Sequence, residues 1–167
     1  VIAIMLEAYN DFSKFDELEF NEDIYKYFHQ IQENSISGTL ITNIFGGGTI
    51  NTERNFITGY NEFGNLRKPT DSFVWYFKEQ GYRTEAMHPI YGAFYNRASI
   101  NPNLGFDTYY NYENKFSKIK TENVFANDDE FFDSIIDGYE KSIKDNIPYF
   151  NFSVTYQNHV PYNSDNY

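Results

Sequence analysis

In the stretch NIFGGGTINTERNFITGY, residues 43–60, three consecutive glycines lead into Thr49. Glycine gives up more backbone freedom on folding than any other residue, so three together in a chain with only ten need a reason. A strand, then GGGT, then a helical pattern from Ile50 to Thr58 puts Thr49 at a helix N-terminus. Free amides and the helix dipole favour an anion there, and glycines let backbone approach a phosphate or sulfate closely. No Gly-Lys-Ser/Thr follows, so this is not a Walker A loop. The same pattern also describes an ordinary cap, with Glu53 as dipole-friendly charge near the first turn.

Other residues able to do chemistry stand just after apolar runs. Glu7 follows Val1-Ile2-Ala3-Ile4-Met5-Leu6, as a metal-ligating carboxylate or a solvated loop acid would. MHPIYGAFYNRAS holds His88, Tyr95 and Arg97 close together. Arg97 offers a planar fork suited to phosphate oxygens, or to a surface ion pair, and His88 could donate to such an oxygen. His159, in TYQNHVPY, could join them or pack under Pro161.

The elements that must position these residues alternate between strand and helix. Strands are expected at residues 1–6, Gly38 to Phe45, Tyr82 to His88 and Tyr149 to Tyr156. Asn21 can cap a helix through Gln32, with Ile24, Phe28 and Ile31 on one face. A second helix has Thr70 or Asp71 as its cap, Phe73, Tyr76 and Phe77 inward, and Gly81 as its stop. A long one runs from about Asn127 to Lys144, with Phe131, Ile135, Ile136 and Tyr139 at helical spacing, until Pro148. This alternation predicts an α/β fold with a mostly parallel central sheet flanked by helices. Ligands of such folds bind outside the carboxyl ends of the strands, where Glu7, Thr49, His88 and His159 all fall.

Composition narrows the partners. Of 167 residues, 41% are hydrophobic and 20% aromatic, enough for a sizeable core. A formal charge of −11 argues against a nucleic-acid partner. Without cysteine there is no disulfide, zinc–thiolate site or cysteine nucleophile. No apolar run approaches the ~18–20 residues that span a bilayer. The chain opens in an apolar strand without a start signal and finishes in a loop, VPYNSDNY, which suggests a piece of a longer polypeptide.

Taken in order, the motifs resemble the lipoteichoic acid synthase and phosphoglycerol transferase group of the sulfatase/alkaline phosphatase superfamily. IAIMLEAY resembles that family's strand ending in a metal-binding glutamate, here Glu7. GGGTINTERNFITGY is similar to its nucleophile motif, with Thr49 at the nucleophile position and Glu53, Thr58 and Gly59 also matching. HPIYGAFYNR resembles its substrate-binding segment, whose roles fall on His88, Tyr95 and Arg97. NLGFDTYY matches the stretch that follows, and NHVPY the segment with a further substrate-site histidine, His159. Lipoteichoic acid synthases carry lysine where this chain has Gly48 and tryptophan where it has Tyr95, which points to the broader phosphoglycerol-transferase-like branch.

The resemblance implies a sulfatase/alkaline-phosphatase-like fold, with residues 1–167 as the N-terminal portion of its catalytic domain. It implies a divalent metal, Mn²⁺ or else Mg²⁺, held by Glu7 and Thr49. The family's Asp-His pair of metal ligands is absent from this sequence, so the isolated chain is expected to be inactive. Thr49 would take glycerol phosphate from phosphatidylglycerol or a similar anionic phospholipid. A glycerol-phosphate polymer or a glycan would receive it, in a parent protein anchored in a bacterial membrane with its catalytic domain outside. Two rivals are hydrolysis on the same scaffold and a non-catalytic, aromatic-rich binding module. Sulfatases proper use a modified cysteine as nucleophile, which this chain lacks.

Overall fold

The computed structural model describes residues 1–42, 44, 47–61, 64–119 and 125–159. The chain divides into two compact units, one of residues 1–8 and 44–167, the other of residues 9–43.

Among the described residues the larger unit is built on four strands, β1 (Ile2–Met5), β2 (Arg83–Met87), β3 (Thr108–Tyr110) and β4 (Tyr149–Val154). They lie in the order β1-β4-β2-β3, and every pairing among them is parallel. Ile2 sits opposite Asn151 and Met5 opposite Val154, while Arg83 faces Tyr149. β4 is flanked on both sides, and all six of its residues are buried. β1 is a correction to the fully buried strand expected. It pairs with β4 alone among the described strands, and Ile2 and Ile4 are exposed. β3 is an addition, a short edge strand whose three aromatic-rich residues carry no alternation to announce it.

Side chains alternate across the sheet and create two different faces. Ala86, Phe150, Phe152 and Val154 pack on one face with Ile57 and Val74, residues of helices α2 (Thr49–Thr58) and α3 (Phe73–Glu79). Phe77 of α3 stacks on Phe150 at 4.6 Å between ring centroids. On the other face Met87 packs with Phe116 and with Phe131 and Ile135 of helix α5 (Asp128–Asp145).

That second face also carries a buried polar ladder. Ser153 Oγ donates to Asn151 Oδ1 at 2.7 Å, Asn151 Nδ2 to the Tyr149 hydroxyl at 3.2 Å, and Tyr149 to Glu85 Oε2 at 2.8 Å. Gly138 of α5 passes over this ladder so closely that a Cβ there would run into the Tyr149 hydroxyl.

Helix boundaries refine the expected ones. Ser72, rather than Thr70 or Asp71, caps α3: its Oγ accepts from Trp75 N–H at 3.2 Å and donates to the Leu104 carbonyl at 2.6 Å. The inward stripe is therefore Val74 and Phe77, and Phe73 and Tyr76 are exposed. α5 begins at the expected cap, Asn127, whose N–H donates to Glu130 Oε2 at 2.9 Å in a capping box. Phe131 and Ile135 are its buried stripe, while Ile136 and Tyr139 are exposed.

The smaller unit holds helix α1 (Lys26–Glu33). Asp23 Oδ1 accepts from Tyr25 N–H at 3.1 Å, a local turn that delays the helix past the expected Asn21 cap. Tyr25 is buried here, with Tyr9 and Phe20 edge-on to its ring, and Ile24 and Ile31 are exposed. The strand expected from Gly38 to Phe45 does not form over residues 38–42, where Leu40 and Ile41 are 78% and 91% exposed. An apolar β-branched run needs a partner edge, and none is paired with it there. Asn43 and Phe45 lie outside the described residues. No helix of the described residues is long and apolar enough to cross a membrane.

Gly138 allows a direct check on the ladder. Alanine is worth up to about 1 kcal/mol more than glycine in a helix interior, so propensity alone predicts that Gly138→Ala stabilises. We expect the reverse in urea unfolding of the full polypeptide, because the methyl group must displace Tyr149 from Glu85. A gain in stability would contradict the close approach.

Candidate active site

Because all strands run the same way, their carboxyl ends deliver their following residues to one edge of the sheet. Glu7 follows β1, His88 follows β2, and Thr155 to His159 follow β4. Glu7 is buried, and its N–H donates to Thr155 Oγ1 at 3.0 Å. Ala8, next in sequence, is left-handed at φ 54°, a sharp bend in a non-glycine residue. The Glu7 carboxylate lies 4.0 Å from His159 Nε2. His159 in turn stacks on Tyr156, centroids 4.8 Å apart, and Tyr156 meets His88 edge-on at 6.0 Å.

Thr49 is the first residue of α2, at the expected helix N-terminus. Gly47 and Gly48 adopt φ 65° and 69°, the left-handed region that other residues enter only at a cost. A Cβ at Gly48 would also lie 2.9 Å from Ile44 Cγ2. These two glycines are thus required by the turn itself, whatever approaches it; Gly46 lies outside the described residues. Among the described residues the Thr49 hydroxyl has no hydrogen-bond partner, so it is uncommitted. Thr58 and Gly59, which share the motif, close the helix. Thr58 Oγ1 donates to the Arg54 carbonyl at 2.7 Å and Gly59 is left-handed at φ 72°.

Arg97 opens helix α4 (Arg97–Ile100) and is only 3% exposed. Its Nε donates to Glu53 Oε2 at 3.0 Å and its Nη2 to Glu53 Oε1, a bidentate pair between two buried side chains. Burial pushes the Glu53 carboxyl above the ordinary carboxylate range, against the pull of Arg97. The guanidinium lies 5.3 Å from the Tyr95 ring centroid and 5.8 Å from that of Phe94. The expected segment thus brings Tyr95 and Arg97 together. Spacing alone did not reveal that Glu53 holds Arg97, although Glu53 stands in the nucleophile motif.

His88 is 1% exposed, and its Nδ1 lies 2.9 Å from the Val154 carbonyl oxygen. A carbonyl can only accept, so Nδ1 carries the proton and Nε2 is left with a lone pair. Nε2 is buried and has no hydrogen-bond partner among the described residues. Burial, with Arg97 nearby, pulls this histidine down to about 3. Donation from His88 Nε2 to a phosphate oxygen would need a second proton on this ring. A neutral imidazole in this tautomer accepts at Nε2, from a hydroxyl.

Glu7 and Thr49 offer a carboxylate and a hydroxyl, hard oxygen donors of the kind Mn²⁺ and Mg²⁺ take. Such ions need about six ligands. Among the described residues no group of three or more His, Asp or Glu side chains could hold one. By donor chemistry these two residues would supply only part of such an ion's coordination.

The depressed His88 has a consequence for stability. In the unfolded chain a histidine protonates below about pH 6.5, whereas the native His88 stays neutral down to about 3. The unfolded state therefore binds the extra proton. Above pH 6.5 the group contributes no pH dependence, and below it stability falls by up to about 1.4 kcal/mol per pH unit. His88→Gln should remove this one-proton slope between pH 6.5 and 5 in urea unfolding of the full polypeptide. An unchanged slope would contradict a neutral, buried His88.

Known proteins resemble this chain in sequence and in fold. The sulfatase family's sequence profile matches residues 1–167. A protein of Rhizobium meliloti (strain 1021) described as a cyclic beta-1,2-glucan modification protein is 29% identical over 177 residues, covering 100% of this chain and 26% of that protein. The lipoteichoic acid synthase of Staphylococcus saprophyticus is 32% identical over 88 residues, covering 51% of this chain and 13% of its own length. Among solved structures, the lipoteichoic acid synthase LtaP from Listeria monocytogenes superposes with a TM-score of 0.81 at 18% identity, over 96% of this chain and 41% of that one. The Streptococcus pyogenes phosphoglycerol transferase GacH, in complex with sn-glycerol-1-phosphate, gives 0.76 at 22% identity, over 98% of this chain and 46% of that one. At these identities the structural likeness speaks for the fold. The chain spans less than half the length of each of these relatives. With its whole length matched by the profile, the chain belongs to the sulfatase family.

Proposed function

We propose that the chain is the N-terminal portion of the catalytic domain of a metal-dependent phosphoglycerol transferase of the lipoteichoic acid synthase type. The observation that carries this reading is the uncommitted hydroxyl of Thr49 at the start of α2, at the nucleophile position of the motif. The free amides of a helix start favour the charge that gathers on a phosphoryl group.

Phosphatidylglycerol, or a similar anionic phospholipid, is the proposed donor. Thr49 Oγ1 attacks the phosphorus, the bond from phosphorus to the diacylglycerol oxygen breaks, and the hydroxyl proton leaves with diacylglycerol. The glycerol phosphate, now an ester of Thr49, passes to an acceptor hydroxyl, which gives up its proton in turn. Glu7 and Thr49 would hold a divalent cation, Mn²⁺ by preference or Mg²⁺. When bound, such an ion lowers the pKa of a ligated hydroxyl and polarises a phosphoryl oxygen. Arg97 orients the phosphate through the part of its fork that Glu53 leaves over, beside Tyr95. His88 Nε2 accepts from a glycerol hydroxyl, and His159, beside Glu7, completes the substrate side.

The acceptor is a cell-envelope glycan or a glycerol-phosphate polymer. The name of the Rhizobium relative favours a glycan. The parent is placed at the bacterial membrane with this domain outside, where both lipid and envelope polymer lie. No nucleic acid is expected to bind a chain of net charge −11.

In the full polypeptide, supplied with Mn²⁺ and labelled phosphatidylglycerol, Thr49→Ala should abolish diacylglycerol release while leaving the circular dichroism spectrum unchanged. Thr49→Ser, which keeps a hydroxyl, should retain measurable release. Full release by Thr49→Ala would overturn the nucleophile assignment. Chelation should stop the parent enzyme and Mn²⁺ should restore it, so release that persists in chelator would contradict the role given to Glu7.

A further inference from the structure

Two successive residues of α2 reach the same turn. Glu53 takes Nε and Nη2 of Arg97, and Arg54 Nη2 donates to the Tyr95 carbonyl at 3.1 Å. The turn they grip is an unusual one. Tyr95 and Asn96 are both left-handed, at φ 52° and 58°, although neither is glycine. Such residues persist only where their surroundings over-determine them. Here Asn96 N–H donates to the Ala93 carbonyl at 2.8 Å, and Ala98 N–H to the Gly92 carbonyl at 2.9 Å. Neither bond joins the turn to α2, whereas those of Glu53 and Arg54 do.

Thr49 and Glu53 are four residues apart, one turn along the same face of the helix. A guanidinium has five N–H donors in a fixed plane. Glu53 occupies one edge, through Nε and Nη2, and among the described residues Nη1 reaches only the Phe94 carbonyl, at 3.4 Å. The remaining N–H groups form the second edge, which fits two oxygens of a phosphate. A flexible arginine would present that edge in many orientations, whereas one clamped by a buried carboxylate presents it in one.

We infer that Glu53 and Arg54 are positioning residues that lock the Phe94–Arg97 turn to the helix carrying Thr49, so that nucleophile and phosphate-holding fork keep one register. The inference rests on the phosphoglycerol transferase reading, since it concerns how the donor's phosphate is held. The bland alternative is an ion pair that only stabilises the fold.

The test measures kcat and KM of the full polypeptide for diacylglycerol release from labelled phosphatidylglycerol in mixed micelles, with a thermal melt of each variant. Glu53→Gln cannot accept both N–H groups, and it should raise KM by about tenfold or more with a smaller fall in kcat. Glu53→Asp keeps the charge and should fall between Glu53→Gln and the parent. Arg54→Gln, which loses the Tyr95 contact, should raise KM by roughly threefold. A lowered melting point in Glu53→Gln with KM and kcat within twofold of the parent would overturn the inference and leave a structural ion pair. Should Glu53→Gln not fold, Arg54→Gln decides in the same way: a raised KM supports the clamp and an unchanged one overturns it. Thr49→Ala separates the two ideas. If it is inactive while Glu53→Gln behaves as the parent, the clamp alone fails. If it remains active, or if the parent releases no diacylglycerol, the transferase reading fails and takes the clamp with it.

Discussion

The structure depends on the parallel pairing of β4 with β1 on one side and β2 on the other. Parallel strands need crossovers, and the crossovers put α2 and α3 over one face and α5 over the other. Once the direction of β4 is set, the ends of β1 and β2 are set with it. Glu7, His88 and the segment reaching His159 then share one edge of the sheet. The polar ladder from Ser153 to Glu85 runs along β4 beneath α5, so the helix above it must offer a glycine where it passes Tyr149.

The electrostatics of this edge differ from those of the chain as a whole. A net charge of −11 would repel an anionic lipid headgroup if it were spread evenly. At the turn beside α2, however, Arg97 pairs with Glu53 and Arg54 donates to the Tyr95 carbonyl, and the buried acids have definite neighbours. Glu53 is spent on Arg97, and Glu7 lies 4.0 Å from His159. The buried Arg97–Glu53 pair is neutral as a unit and sits in a dry setting, while distant surface acids are screened by solvent. The same dryness holds His88 neutral and makes its Nε2 an acceptor.

Much of this was legible in the sequence. The strand ends could be read because apolar runs stop at polar residues, as at Glu7 and His88. Thr49 could be read because glycines and a helical period meet there. What escaped was decided by partners distant in sequence. Phe73 and Tyr76 look inward until Ser72, held by Leu104, sets where α3 starts. The run from Gly38 has strand-like residues but no edge to pair with over residues 38–42. The bond between Arg97 and Glu53 joins residues 44 positions apart, which no local pattern encodes. The proton on His88 could be assigned only once Val154 was seen to face Nδ1.

The central claim is that Thr49 carries the glycerol phosphate between donor and acceptor. The most direct measurement is mass spectrometry of the full polypeptide, quenched in acid after brief mixing with Mn²⁺ and phosphatidylglycerol in the absence of acceptor. The account predicts that the peptide containing Thr49 gains the mass of one glycerophosphoryl group, located on Thr49 by fragmentation and absent from Thr49→Ala. An active enzyme that yields no such adduct under these conditions, or carries it on another residue, would contradict it.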